Sequence, residues 1–95
     1  MRLSKNKINT LKISIRNLRP NSKIYLFGSR VYNDKKGGDI DILILDKKKL
    51  SFIDKGKIER DFFTNHGEQK LDLVSFENSS TETFKELILE EAIAL

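Results

Sequence analysis

The segment Ile40–Leu45, with the sequence IDILIL, constrains the fold more than any other part of the chain. Apart from Asp41 it is apolar at every position, so a strand formed here carries apolar side chains on both faces. Strands of this kind are covered on both sides, as interior strands of α/β proteins are. This strand is therefore expected inside a sheet with helices packed on it.

Two further strands are predicted, at Lys23–Phe27 (KIYLF) and Lys70–Phe76 (KLDLVSF). Apolar periodicity predicts helices at about 4–18 and 49–65, the second ended by Gly67. A third helix is expected over FKELILEEAIAL, with Ser79 and Glu82 as its capping box. The order is helix, strand, turn, strand, helix, strand, helix. It predicts one α+β domain over residues 1–95, with two layers and a small sheet.

Composition excludes several classes of function. The chain has no cysteine and one histidine, His66, so disulfides, thiolate chemistry, Cys-based zinc sites, His-rich metal sites and multi-His catalysis are excluded. No apolar run approaches the roughly 20 residues of a membrane span, so a cytosolic protein is expected. The net charge of +4 suggests an anionic partner. A basic stripe on the first helix is either solvated charge or an anion-binding ridge; its members are Lys5, Lys12, Arg16 and Arg19.

Two carboxylates begin the central strand. Asp39 and Asp41 are two positions apart, so their side chains leave the same face about 7 Å from each other. At an effective dielectric constant near 20 they repel by about 2 kcal/mol, which a bound cation would offset. Asp72 has the same kind of position in the third strand, and three oxygen-bearing side chains favour Mg²⁺ or Mn²⁺.

A turn that suits phosphates precedes these carboxylates. Gly28 allows a sharp turn after the first strand, Ser29 adds a hydroxyl, and successive backbone N–H groups there form an anion-binding concavity. Arg30 is close enough in sequence to assist. Each part has a purely structural alternative: an ordinary turn, aspartates that keep ILIL from aggregating, or a solvated Lys35–Gly38 loop. Together they favour a metal and nucleotide site.

The pattern of GS, nine residues and DID, with LDLV about thirty residues later, resembles the polymerase β nucleotidyltransferase superfamily and its minimal nucleotidyltransferase (MNT) members. The resemblance implies their fold, with Gly28, Ser29 and Arg30 at the outer phosphates of ATP. It also implies that Asp39 and Asp41 bind two Mg²⁺ ions and that Asp72 binds one of them. Two positions depart from the family pattern, Asn33 and Gly38, where glycine and serine are common.

The activity implied by the resemblance is AMP transfer from ATP to a tyrosine of a partner HEPN toxin, with this chain as the antitoxin. Whether Asp72 accepts the hydroxyl proton or only holds a metal stays open. One alternative is a binding module that neutralises its partner by occlusion, with a vestigial nucleotide site. Another is a basic nucleic-acid-binding module, which the lack of an aromatic stacking platform disfavours.

The predicted last helix also indicates a protein partner. At 100° per residue, one side of it carries Phe84, Ile88, Ala92 and Leu95, and the broadly opposite side carries Leu89 and Ile93. A single core does not bury both sides. A toxin or a second copy of the chain is expected to cover the remainder.

Overall fold

A computed structural model describes residues 1–35 and 37–95 of the chain. Lys36, in the predicted solvated loop, lies outside the described residues. The helices are α1 (Lys5–Leu18), α2 (Phe52–His66) and α3 (Thr83–Glu91), and the strands are β1 (Lys23–Phe27), β2 (Ile40–Asp46), β3 (Leu71–Glu77) and β4 (Ile93–Ala94).

The strands form one mixed sheet with the order β3-β2-β1-β4. Strand β1 is antiparallel to β2 and to β4, whereas β2 and β3 are parallel. This arrangement confirms the predicted α+β fold with a small mixed sheet.

Strand β2 lies in the interior of the sheet and is covered on both faces, as its sequence predicts. Ile40, Ile42 and Ile44 belong to the larger core cluster, together with residues of α1 and α2. Leu43 and Leu45 point the other way and pack in a second cluster that includes a residue of α3. Asp41 therefore belongs to the α3 side of the sheet, because side chains alternate along a strand.

The first two helices begin at serine caps. The hydroxyl of Ser4 accepts a hydrogen bond from the Lys7 amide at the start of α1, and Ser51 accepts one from Asp54 at the start of α2. Each bond satisfies one of the free N–H groups of a first helical turn. Helix α2 thus begins three residues later than predicted. Its last residue is His66, and Gly67 follows with a φ of 78°, so the glycine predicted to end this helix does adopt a positive φ.

Two predictions for the C-terminal part are wrong. The capping box does not form: α3 begins after Glu82 without a side-chain cap, and the Lys85 ammonium group donates to the carbonyls of Asn78 and Ser80. The helix also ends at Glu91, so the apolar residues 93–95 are not part of it.

The end of the chain instead pairs with β1. Ile93 lies opposite Leu26, and the Leu95 amide donates to the Ile24 carbonyl at 2.9 Å. This pairing satisfies backbone groups along the otherwise open edge of β1, which outweighs the local helical preference of the segment. None of the helices formed by the described residues has the length and apolar character to cross a bilayer.

Candidate active site

The parallel register of the sheet brings two of the predicted site residues side by side. Asp41 and Asp72 are the second residues of β2 and β3, and they are direct partners across the strand pair. A hydrogen bond of 3.0 Å from the Ile40 amide to the Lys70 carbonyl fixes the two strand starts together. Because paired positions lie on the same face of a sheet, both carboxylates leave by the α3 side.

The pKa of Asp41 depends on the neighbouring carboxylates. Burial raises the pKa of Asp41, and the charges of Asp72 and then Asp39 raise it further. The ammonium group of Lys70 acts in the opposite direction. The three aspartates predicted from the sequence therefore lie near one another at the start of β2 and β3.

Asp39 is the least tightly placed of the three. It precedes β2, and its carboxylate lies 3.4 Å from the ammonium nitrogen of Lys70. Both side chains are largely exposed, so this ion pair contributes little to stability. Within residues 1–35 and 37–95, no three acidic, histidine or cysteine side chains are arranged closely enough to hold a metal as they lie.

The turn after β1 packs directly against Asp41. Gly28 has a φ of 76° and begins a 3₁₀ turn that extends to Val31. A Cβ atom at this position would lie well inside 3.0 Å of the Asp41 carboxylate oxygen. Only glycine combines this backbone conformation with such a close approach. The predicted phosphate turn and the predicted carboxylates are therefore in contact.

A second glycine brings the following loop back to the turn. Gly38 has a φ of 92°, and a Cβ atom there would collide with the hydroxyl of Ser29. The serine that this position often carries in the family would not fit this backbone. Gly38 thus gives the Ser29 hydroxyl its space, a role that the sequence did not indicate.

Arg30 has a different environment from the one expected. Its guanidinium group donates to the carbonyl of Gly38 at 3.2 Å and to that of Arg2 at 2.8 Å. Arg30 therefore holds the loop and the N-terminal segment together. Its side chain reaches a phosphate only if these bonds rearrange.

Arg2 is a residue of this region that the sequence analysis missed. Its guanidinium group donates to the carbonyls of Ser29, Tyr32 and Gly37, at distances of 2.9 to 3.2 Å. No spacing rule links residue 2 to a turn about 30 positions later, so no sequence signal identifies these contacts. Through them Arg2 braces the turn and both ends of the loop.

The donor set fits a divalent cation by its chemistry. Carboxylate oxygens are the ligands that Mg²⁺ and Mn²⁺ prefer, and the mutual repulsion that raises the pKa of Asp41 is what a cation would relieve. Asp41 and Asp72 are positioned for this by the sheet. Asp39 must exchange its contact with Lys70 for the cation.

A groove extends from this site along α3. It has a volume of about 240 Å³ and is lined by Phe27, Gly28, Phe84, Leu87, Ile88 and Glu91. Phe84 and Leu87 are 54% and 57% exposed, whereas Ile88 is buried. At the far end of α3, Glu91 acts on Tyr32 by hydrogen bonding and by its charge, which raises the pKa of the Tyr32 phenol.

The other candidate features lie away from the carboxylates. His66 ends α2, and its Nε2 atom is 2.8 Å from the Thr10 hydroxyl, so it links α2 to α1. The basic stripe of α1 is interrupted, since Arg19 pairs with Asp54 and donates to the Lys49 carbonyl.

The sequence matches the family model for the polymerase beta nucleotidyltransferases over residues 9–95. The chain therefore belongs to the polymerase beta nucleotidyltransferase family, which confirms the resemblance. No curated protein matches the sequence.

Solved structures of toxin–antitoxin complexes have the same fold. A chain of the MntA–HpeT complex in a single-residue mutant form is 26% identical, with a TM-score of 0.71, 98% of this chain covered and 72% of that one. A chain of a toxin–antitoxin complex with AMP-PNP is 26% identical, with a TM-score of 0.71; the match covers 97% of this chain and 72% of that one. A chain of the complex between the tri-AMPylated Shewanella oneidensis HEPN toxin and MNT antitoxin is 22% identical, with a TM-score of 0.69. The match covers 97% of this chain and 71% of that one, and at this identity it shows a likeness of fold alone.

Proposed function

We propose that this chain is an adenylyltransferase that moves AMP from ATP to a tyrosine hydroxyl of a HEPN-family toxin and so acts as its antitoxin. The observation that carries the proposal is the pairing of Asp41 with Asp72 directly beside the Gly28 turn. Family membership supports nucleotidyl transfer. The structural neighbours with AMP-PNP and with a tri-AMPylated HEPN toxin support the choice of nucleotide and acceptor.

The acidic residues have separate tasks in this proposal. Asp39 and Asp41 hold two Mg²⁺ ions, with Mn²⁺ as a substitute, and Asp72 shares one of them. Such ions neutralise phosphate charge and favour ionisation of a nearby hydroxyl. Gly28 and Ser29 receive the outer phosphates through backbone N–H groups and the serine hydroxyl, and Arg30 joins them when its contacts rearrange.

The transfer is a single displacement. The tyrosine oxygen forms a bond to the α-phosphorus while the bond from that phosphorus to the bridging oxygen breaks, and pyrophosphate leaves. The hydroxyl proton passes to Asp72. We assign it this role because β3 is an edge strand and Asp72 is exposed, so an acceptor can approach it from outside.

The exposed part of α3 supports a protein acceptor. Phe84 and Leu87 keep more than half of their surface open, beside the groove that leads to Gly28. Residues 93–95 do not contribute to this face, contrary to the helix expected from the sequence. The apolar face is therefore narrower than predicted but lies next to the carboxylates.

Labelling tests the proposal. The purified chain is incubated with Mg²⁺, α-labelled ATP and a purified HEPN-family toxin. Label is expected on the partner, and it should be absent with Asp39→Asn, with Asp41→Asn, or when the acceptor tyrosine is replaced by phenylalanine. Glu59→Gln, on α2 across the sheet, is the matched control and should label normally. Absence of label with the wild-type chain would refute adenylyl transfer.

Occlusion is the competing proposal, and two observations favour it. The guanidinium group of Arg30 already binds two carbonyls, and Lys70 already pairs with Asp39. A chain that acts by occlusion would protect cells from the toxin even with both Asp39→Asn and Asp41→Asn. A catalytic antitoxin would lose protection in the same cells.

A further inference from the structure

The start of α2 carries the most exposed large apolar side chains among the described residues. Phe52 is 91% exposed and Ile53 is 70% exposed. They belong to one exposed stripe of the helix, here called the α2 patch, which consists of Phe52, Ile53, Gly56, Lys57 and Arg60. At 100° per residue these five positions span about 140° of the helix surface. The fold leaves this stripe uncovered.

Gly56 sits in the middle of the patch without a reason inside the fold. It lies in the interior of α2, where glycine weakens a helix relative to alanine. A Cβ atom there would have no other atom within 4 Å, so nothing among the described residues requires its absence. Glycine also permits close approach of another backbone. An approaching molecule therefore explains this residue better than the chain's own packing.

Positive charge predominates around the patch, although Glu59 lies beside it on the same helix, seven positions after Phe52. Lys57 and Arg60 are exposed on the stripe itself, and Lys47, Lys48 and Lys49 are exposed in the loop before α2. The neighbouring Asp54 is paired with Arg19. Two copies of the chain that met through this surface would bring like charges together, which is unfavourable. The charge instead fits an acidic partner.

The position of the patch leaves the candidate active site open. Helix α2 follows the C-terminal end of β2, whereas Asp41 is at the other end of that strand. Asp46 is five positions after Asp41, which is about 17 Å along a strand. The patch is on the opposite face of the sheet from the carboxylates, so a partner bound there reaches them around the β3 edge, where Asp72 is exposed.

We propose that the α2 patch docks the protein acceptor through a helix of that protein with small or apolar residues at its centre and acidic residues at its flanks. This inference rests on the proposed function, since it names the surface that holds the acceptor. Phe52 and Ile53 supply the apolar contact, Gly56 lets the two helices approach closely, and the cations match the acidic flanks. Aliphatic Ile53 and Gly56 have no comparable use on a nucleic acid.

Calorimetric titration with the HEPN-family toxin used in the labelling experiment tests the docking surface. Phe52→Ser with Ile53→Ser, and separately Gly56→Leu, should each raise the Kd at least tenfold. Gly56→Leu should keep or raise the Tm, because leucine favours a helix and nothing blocks its side chain. The matched control is Ile13→Ser, which removes a 64% exposed apolar residue of α1 next to basic residues and should leave the Kd within twofold.

Labelling with α-labelled ATP separates this proposal from the previous one. Weak labelling by the Gly56→Leu chain should be overcome by excess partner protein, whereas Asp41→Asn should bind the partner and never label it. If the wild-type chain binds through the patch but transfers no label, the proposed function fails and the docking surface stands. If label is transferred and the patch variants bind normally, only the docking surface fails.

Three further results would overturn the docking surface. One is a Kd within twofold of wild type for both patch variants. Another is a wild-type dimer that the patch substitutions dissociate, which would make the occupant a second copy. The third is salt-sensitive RNA binding that Lys57→Glu abolishes while partner binding is unchanged.

Discussion

Replacing Asp41 with asparagine should stabilise the free protein while it removes activity. Asp41 faces Asp72 across a parallel strand pair, so their carboxylates are about 5 Å apart. At that distance two unit charges repel by about 3 kcal/mol at an effective dielectric constant of about 20, and by about 0.8 kcal/mol in bulk water. Because both side chains reach solvent, the expected gain is near the lower value, about 1 kcal/mol.

The gain should depend on pH in one direction. Burial and the neighbouring carboxylates raise the pKa of Asp41 in the folded protein above its ordinary value, so the folded state binds this proton more readily than the unfolded state. The free-energy cost of the ionised Asp41 carboxylate is absent below the pKa that Asp41 has in the unfolded protein. It reaches its full size once the pH has risen through the pKa that Asp41 has in the folded protein. The advantage of asparagine is therefore full at neutral pH and disappears in acid.

Urea denaturation in EDTA measures this effect at neutral pH and near pH 3. A gain of about 1 kcal/mol corresponds to about 4–8 °C in Tm for a domain of this size. Glu59→Gln, which removes a charge across the sheet, is the control and should change stability little. The reasoning is refuted if Asp41→Asn is no more stable than wild type at neutral pH, or if its gain persists unchanged in acid.

Four other substitutions test the site and the fold around it. Gly28→Ala should lower stability by about 1–3 kcal/mol in urea titrations, because of its positive φ and the collision with Asp41. Gly56→Ala should raise the Tm by several degrees, whereas Gly67→Ala, at a φ of 78°, should lower it. Arg2→Ala should speed hydrogen exchange in the 3₁₀ turn and should reduce the ATP affinity measured by calorimetry. Hydrogen exchange in α1 should stay unchanged. Equal exchange of the turn in the wild-type and variant proteins would contradict the bracing role of Arg2.

The sequence predicted the parts of the fold that depend on local pattern. Strands β1, β2 and β3 follow from short apolar runs, and α1 and α2 follow from apolar periodicity. The proximity of Asp41 and Asp72 followed from two similar strand starts, because parallel neighbours bring equivalent positions together. The resemblance to the polymerase β nucleotidyltransferases also implied that Asp41 and Asp72 bind metal together.

The features that the sequence did not predict are long-range contacts. The segment 93–95 has helical neighbours in sequence, but its hydrogen bonds go to β1, about 70 residues earlier. The contacts of Arg2 and Arg30 with the loop, and of Lys70 with Asp39, depend on how side chains meet after folding. The sequence indicated that Arg30 places a positive charge near the predicted phosphate turn. It did not show that the Arg30 guanidinium group already donates to the carbonyl oxygens of Arg2 and Gly38.

Strand β4 links the stability of the Gly28 turn to a segment about 70 residues later in the sequence. Strand β1 leads straight into Gly28, and Ile93 and Ala94 flank that strand on its outer side. A deletion of residues 93–95 would leave the aspartates, α1 and α2 intact. It would nevertheless remove the hydrogen bonds that β4 and Leu95 make with β1. The variant should therefore lose function while its circular dichroism spectrum stays nearly normal.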